Sequence, residues 1–169
     1  MFTPITRIVI IFACMLAIVY CLSVGKMYPT FVAFIFMFFT ILGYFFQGTV
    51  YLAFRQLRSG DVKKAANTLA LTTKPNWLTK TQKGYYFFVL GFVEMAQNNL
   101  EASKKAYSEA LKIGLRLKND TAMVYANLAM IHHKQKNKVK AREYLSLAKS
   151  IKIKEHVKLE IDRIASIIE

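Results

Sequence analysis

The stretch "LGFVEMAQNNLEASKKAYSEALKI", residues 90–113, sets small residues around one large one: Gly91, Ser103 and Ala110 about Tyr107. Residues three and four apart share a helix face, so Ser103, Tyr107 and Ala110 form a small–large–small stripe. Shifting the chain by 38 residues in either direction reproduces it. The columns read Leu52, Leu90, Leu128; Ala53, Gly91, Ala129; Ala65, Ser103, Ala141; Leu69, Tyr107, Leu145; and Thr72, Ala110, Ala148. A bundle of unrelated helices would not hold a fixed period. Small residues at the crossing of two antiparallel helices let their backbones approach, and the large residue fills the space toward the next pair. Each pair alone leaves an apolar face open, so neighbours must stack.

The copy at 90–113 resembles a tetratricopeptide repeat, whose pattern is Leu-Gly, then small, large and small residues and an exit proline. Here those are Leu90–Gly91, Ser103, Tyr107 and Ala110, and Pro75 is the exit proline of the first copy. The resemblance covers about residues 49–151. The sequence departs from the family at Phe87 and Glu94, lacks the later exit prolines, and exceeds the usual period of about 34 by one helical turn. The resemblance implies an all-α fold, a right-handed array of helix-turn-helix units whose first helices line an inner groove. The expected units pair 49–57 with 61–72, 80–97 with 100–118, and 120–136 with 139–151. Asp120 is read as the residue that starts its helix. A capping helix over 155–168, within the terminal segment 152–169, is expected to bury Val157, Leu159, Ile161, Ile164, Ile167 and Ile168.

Composition divides the chain. Residues 1–54 hold no acid, and their cations are Arg7 and Lys26. The net charge is +14, of which +12 falls after residue 54. Such an excess favours acidic partners: anionic lipid, an acidic protein face, or nucleic acid. Two apolar runs, about 5–24 and 30–54, each have the ~20 residues a ~30 Å hydrocarbon core requires. The interruption at "GKMYPT" makes them a transmembrane hairpin over 1–48. The second run is expected to continue as one helix over about 30–57 into the first repeat. A cleaved signal or a lipoprotein site at Cys14 fits less well, because the apolar run continues past that cysteine. Arg55, Arg58, Lys63 and Lys64 outweigh Lys26, which places both termini in the cytoplasm, at a bacterial inner membrane. Tyr44, Phe45, Phe46, Tyr51 and Phe54 suit an aromatic belt. Both cysteines, Cys14 and Cys21, lie in the apolar part, so the polar part has no disulfide framework or thiol metal site.

No catalytic constellation is visible, and no cofactor or metal is expected. His132 and His133 are adjacent and diverge on a helix, a poor chelating pair. The inner face is read as Tyr85, Phe88, Phe92, Met95, Met123, Met130 and His133, with Ala126 among them. It is apolar and adaptable, suited to an amphipathic helix or an extended apolar segment of a partner protein, unless the final helix fills it. The run "HHKQKNKVKAR" gathers Lys134, Lys136, Lys138, Lys140 and Arg142 about one turn, either a solvated turn or a contact for anionic headgroups or an acidic partner. Nucleic acid is disfavoured, since no aromatics interleave with these lysines. The expectation is a non-enzymatic membrane-anchored adaptor or assembly protein. The alternative is an integral accessory subunit held mainly by its hairpin.

Overall fold

The computed structural model describes residues 4–25, 27–47 and 49–168, with side chains from 9 onward except 41–47. Nine α-helices and one 3₁₀ turn make up the described residues, with no strand. The chain is all-α. Lys26, Gly48 and the side chains of Arg7, Tyr44, Phe45 and Phe46 lie outside the described residues.

Helices α1 (Pro4–Ser23) and α2 (Met27–Gln47) pack against each other across a short connection. Their outer faces are apolar: Phe12 is 58% exposed, Phe31 65% and Phe39 65%. Among the described residues, no helix is long and apolar enough to cross a membrane. The expected transmembrane hairpin therefore has no support in the described helices.

Three helix pairs follow: α3 (Val50–Arg58) with α4 (Val62–Ala70), α5 (Lys80–Ala96) with α6 (Leu100–Ile113), and α7 (Lys118–Lys134) with α8 (Lys138–Ser150). The helix expected to run unbroken over 30–57 is divided. Thr49 starts α3, and its hydroxyl donates to the Thr68 carbonyl at 2.6 Å and meets the Thr72 hydroxyl at 3.0 Å. That contact gives a last-turn carbonyl of α4 a second donor beside the Leu71 amide, which reaches it at 3.3 Å. Helix α4 ends at Ala70, where i→i+3 bonds from the Leu71 and Thr72 amides to the Thr68 and Leu69 carbonyls close its last turn. Helix α6 stops at Ile113 rather than near residue 118, at Gly114 with φ +93°. Helix α7 starts at Lys118, so Asp120 lies within its first turn and is buried.

The 38-residue spacing holds at the crossings and at the turns. Ala53, Ala65, Ser103, Tyr107, Ala129 and Ala141 are all fully buried. Gly91 is required by close approach: a Cβ there would meet the Tyr107 ring at 2.6 Å. The Ser103 hydroxyl donates to the Gly91 carbonyl at 2.7 Å and clamps the same crossing. At the turns, Gly60, Asn98 and Lys136 have φ of 85°, 62° and 60°. The next residues, Asp61, Asn99 and Asn137, donate their amides to Gln56, Glu94 and His132 carbonyls at 3.0, 2.9 and 2.9 Å. These are three copies of one left-handed helix stop. Asp61 and Asn137 then start the following helix by accepting from the Lys64 and Lys140 amides, whereas the Asn99 side chain bonds Glu94 instead.

The core has two parts. One joins α3 to α7 around Val50, Leu69, Phe88, Tyr107 and Leu128. The other lies between α7, α8 and the last helix, α9 (Glu155–Ile168). Helix α9 buries Val157, Ile161, Ile164, Ala165 and Ile168. Leu159 and Ile167, expected on that face, are 63% and 54% exposed. Leu159 lies about half a turn, and Ile167 a little over a quarter turn, from the centre of the stripe that meets α7 and α8.

Candidate binding groove

Helices α3 and α5 present one aromatic face, which α7 borders with Asp120 and Met123. Phe54 meets Tyr85 and Phe88 edge to face at 5.0 and 5.7 Å, and Phe88 leads to Phe92 at 5.4 Å. Helix α9 closes one side without filling the space. Between them lies a cavity of about 300 Å³ lined by Phe54, Leu57, Arg58, Phe88, Phe92, Asp120, Met123, His156, Val157 and Glu160. Phe54 and Arg58 also border a second, open cavity of about 470 Å³, whose other walls are Tyr51, Thr81, Gln82, Tyr85, Arg116 and Leu117.

The predicted groove residues divide accordingly. Phe88, Phe92 and Met123 line the first cavity and Tyr85 the second. Met95 packs against the first core and Met130 against the second, and Ala126 is fully buried. His133 is half-buried, and neither cavity touches it. The sequence reading missed Phe54 and Leu57, although both stand one period before Phe92 and Met95. It also missed Arg58, at the end of α3, and His156, Glu160 and Arg116, which only the folding of α9 and the 114–117 loop brings there.

The groove's polar groups are few and specific. The Tyr85 hydroxyl donates to Asp120 Oδ2 at 2.7 Å. Burial, with that carboxylate, pushes the Tyr85 hydroxyl well above its usual range, so it stays a donor. Arg58 lies over the Phe54 ring at 5.5 Å. Neither Arg58 nor Arg116 has an ion-pair partner among the described residues. His132 lies outside the groove, stacked on Tyr144 with rings 5.3 Å apart and nearly parallel. Burial, then Lys104 and Lys140 nearby, lower its pKa, so the ring is neutral at pH 7. Among the described residues no three His, Cys, Asp or Glu side chains could hold a metal ion together.

Lys134, Lys136, Lys138, Lys140 and Arg142 are all exposed. None has a carboxylate partner among the described residues. They surround the turn between α7 and α8. That turn lies at the end of the array opposite the point where the chain enters α3, a separation of ~25 Å along a 17-residue helix.

Compared with known proteins, the chain matches no family model, no curated protein and no solved structure. The reading therefore stands on this chain's own residues.

Proposed function

We propose that this chain is a non-enzymatic, membrane-anchored adaptor: a two-helix transmembrane hairpin carrying a tetratricopeptide-like array on the cytoplasmic face, with α9 as its cap. The observation that carries the reading is the exposed apolar surface of α1 and α2, joined within three residues to the stacked helix pairs. Burying one such side chain is worth about 1.5–3 kcal/mol. A surface running from Val9 to Phe39 thus demands lipid or partner helices. The apolar sequence runs 5–24 and 30–54 each hold the ~20 residues a span requires. An apolar groove with a few polar groups at its rim suits an amphipathic helix of a partner protein.

The test uses the full chain. Carbonate extraction should leave it in the membrane fraction. A photocrosslinker at Met123 should capture a partner that Phe92→Lys loses while membrane association stays unchanged. Extraction by carbonate would remove the anchor reading. Capture that survives Phe92→Lys would remove the groove reading. The accessory-subunit alternative is favoured by the same apolar hairpin surface, and it requires residues 1–48 alone to co-purify with the complex.

A further inference from the structure

All the loops between helix pairs lie at one end of the array, the end where the chain leaves the hairpin. Thr49, immediately before α3, bonds Thr68 and Thr72 and so fixes the start of the 71–79 loop there. The 114–117 loop joins it, since Arg116 and Leu117 share a cavity with Tyr51 and Thr81. The last loop is tied in by the Lys154 amide, which donates to Asn119 Oδ1 at 3.2 Å. The three left-handed turns form the other end, where Gln135 donates to Glu101 at 2.6 Å.

The loop end has a distinctive surface. Leu71, Trp77 and Leu117 are 57%, 53% and 46% exposed. Exposed cations stand among them: Lys74, Lys80, Arg116 and Lys118. Lys74 Nζ sits 4.5 Å above the Trp77 ring. Segments 71–80 and 114–118 contain no acid. Exposed tryptophan and leucine interleaved with cations suit a headgroup layer, where the ring enters the interface and the ammonium stays with phosphate.

We infer that this end of the array docks on the surface of the anionic bilayer that holds the hairpin, with Trp77 as its interfacial anchor. The inference rests on the membrane-anchored reading and goes beyond it, because it fixes which end of the array meets lipid. It assigns headgroup contact to Lys74, Lys80, Arg116 and Lys118. It leaves the basic turn at Lys134–Lys140 facing away, free for an acidic partner.

Trp77 is the single tryptophan of the chain, so its fluorescence reports on this end alone. The full chain is reconstituted into neutral phosphatidylcholine vesicles and into vesicles containing phosphatidylglycerol. Flotation reads insertion in both. Docking predicts that in the anionic vesicles Trp77 emission moves to the blue, is quenched by lipids brominated near the glycerol, and is shielded from aqueous iodide. High salt should reverse all three by screening. Lys74→Gln and Arg116→Gln should each lower the docked fraction by roughly fivefold in equilibrium constant. Lys134→Gln with Lys138→Gln should leave it unchanged. A chain that floats while Trp77 stays equally open to iodide in both vesicles overturns the docking and leaves the anchor standing. A chain that fails to float even with neutral lipid overturns the anchor and the docking together.

Discussion

Replacing Gly91 with alanine tests the crossing on which the helix pairs depend. The added Cβ would lie 2.6 Å from Cδ1 and Cε1 of Tyr107 and 2.9 Å from Cζ. Tyr107 is fully buried and packs edge-on against Phe92 at 6.0 Å, so its ring has little room to withdraw. Overpacking of this kind costs about 1–3 kcal/mol, and the need for a shift of nearly an ångström places it at the upper end. Alanine returns about 1 kcal/mol through helix propensity. The net loss is about 2 kcal/mol, or roughly 4–8 °C in Tm for a chain of this size. The other two pairs supply the rescue, since Ala53 stands with Leu69 and Ala129 with Leu145. Gly91→Ala with Tyr107→Leu should therefore be no less stable than Tyr107→Leu alone. The double-mutant cycle should show a favourable coupling of about 2 kcal/mol. The assay is thermal unfolding of the full chain in detergent, followed by far-ultraviolet circular dichroism. Strictly additive losses, or a Gly91→Ala variant as stable as the parent, would refute the crossing geometry.

Lys136 holds φ +60° without being glycine or asparagine. Lys136→Gly should stabilise by about 0.5–1 kcal/mol, whereas Gly60→Ala at the equivalent turn should destabilise by a similar amount; chemical denaturation reads both. The Tyr107 hydroxyl is buried with no hydrogen-bond partner among the described residues, so Tyr107→Phe should be neutral or stabilising by up to about 1 kcal/mol, and a clear loss would show that the hydroxyl has a partner after all. The lowered pKa of His132 means the unfolded chain binds the extra proton first. Its contribution is complete above the unfolded value near ~6.5 and falls as pH drops toward the folded value. His132→Phe, which keeps the stack on Tyr144, should flatten the melting profile below pH ~6.5; an unchanged slope would assign the pH dependence elsewhere.

The repeating part of the fold was legible because small residues recur where backbones meet, and a 38-residue shift exposes them. The turn column Gly60, Asn98, Lys136 was equally periodic but less visible, since a lysine in a left-handed conformation leaves no compositional mark. The ends of α4 and α6 were misplaced for local reasons, a last turn closed by i→i+3 bonds at Leu71 and Thr72 and the positive φ of Gly114. Groove residues on periodic columns could be found from the sequence, and Phe54 and Leu57 would have followed by one further shift. Arg116, His156 and Glu160 could not, because their positions depend on a loop and a last helix outside the period. The face α9 buries was partly misread, since a helix with apolar residues on several sides does not declare which side its neighbours will cover.

The most direct test of a membrane-embedded hairpin uses the two native cysteines, Cys14 and Cys21, both half-exposed on α1. The full chain in pure lipid vesicles is treated with a membrane-impermeant maleimide before and after solubilisation in SDS. The account predicts that Cys14 is protected in the bilayer and modified once the lipid is removed. Modification of Cys14 at the same rate in both states, by a chain that still floats with its vesicles, would contradict it.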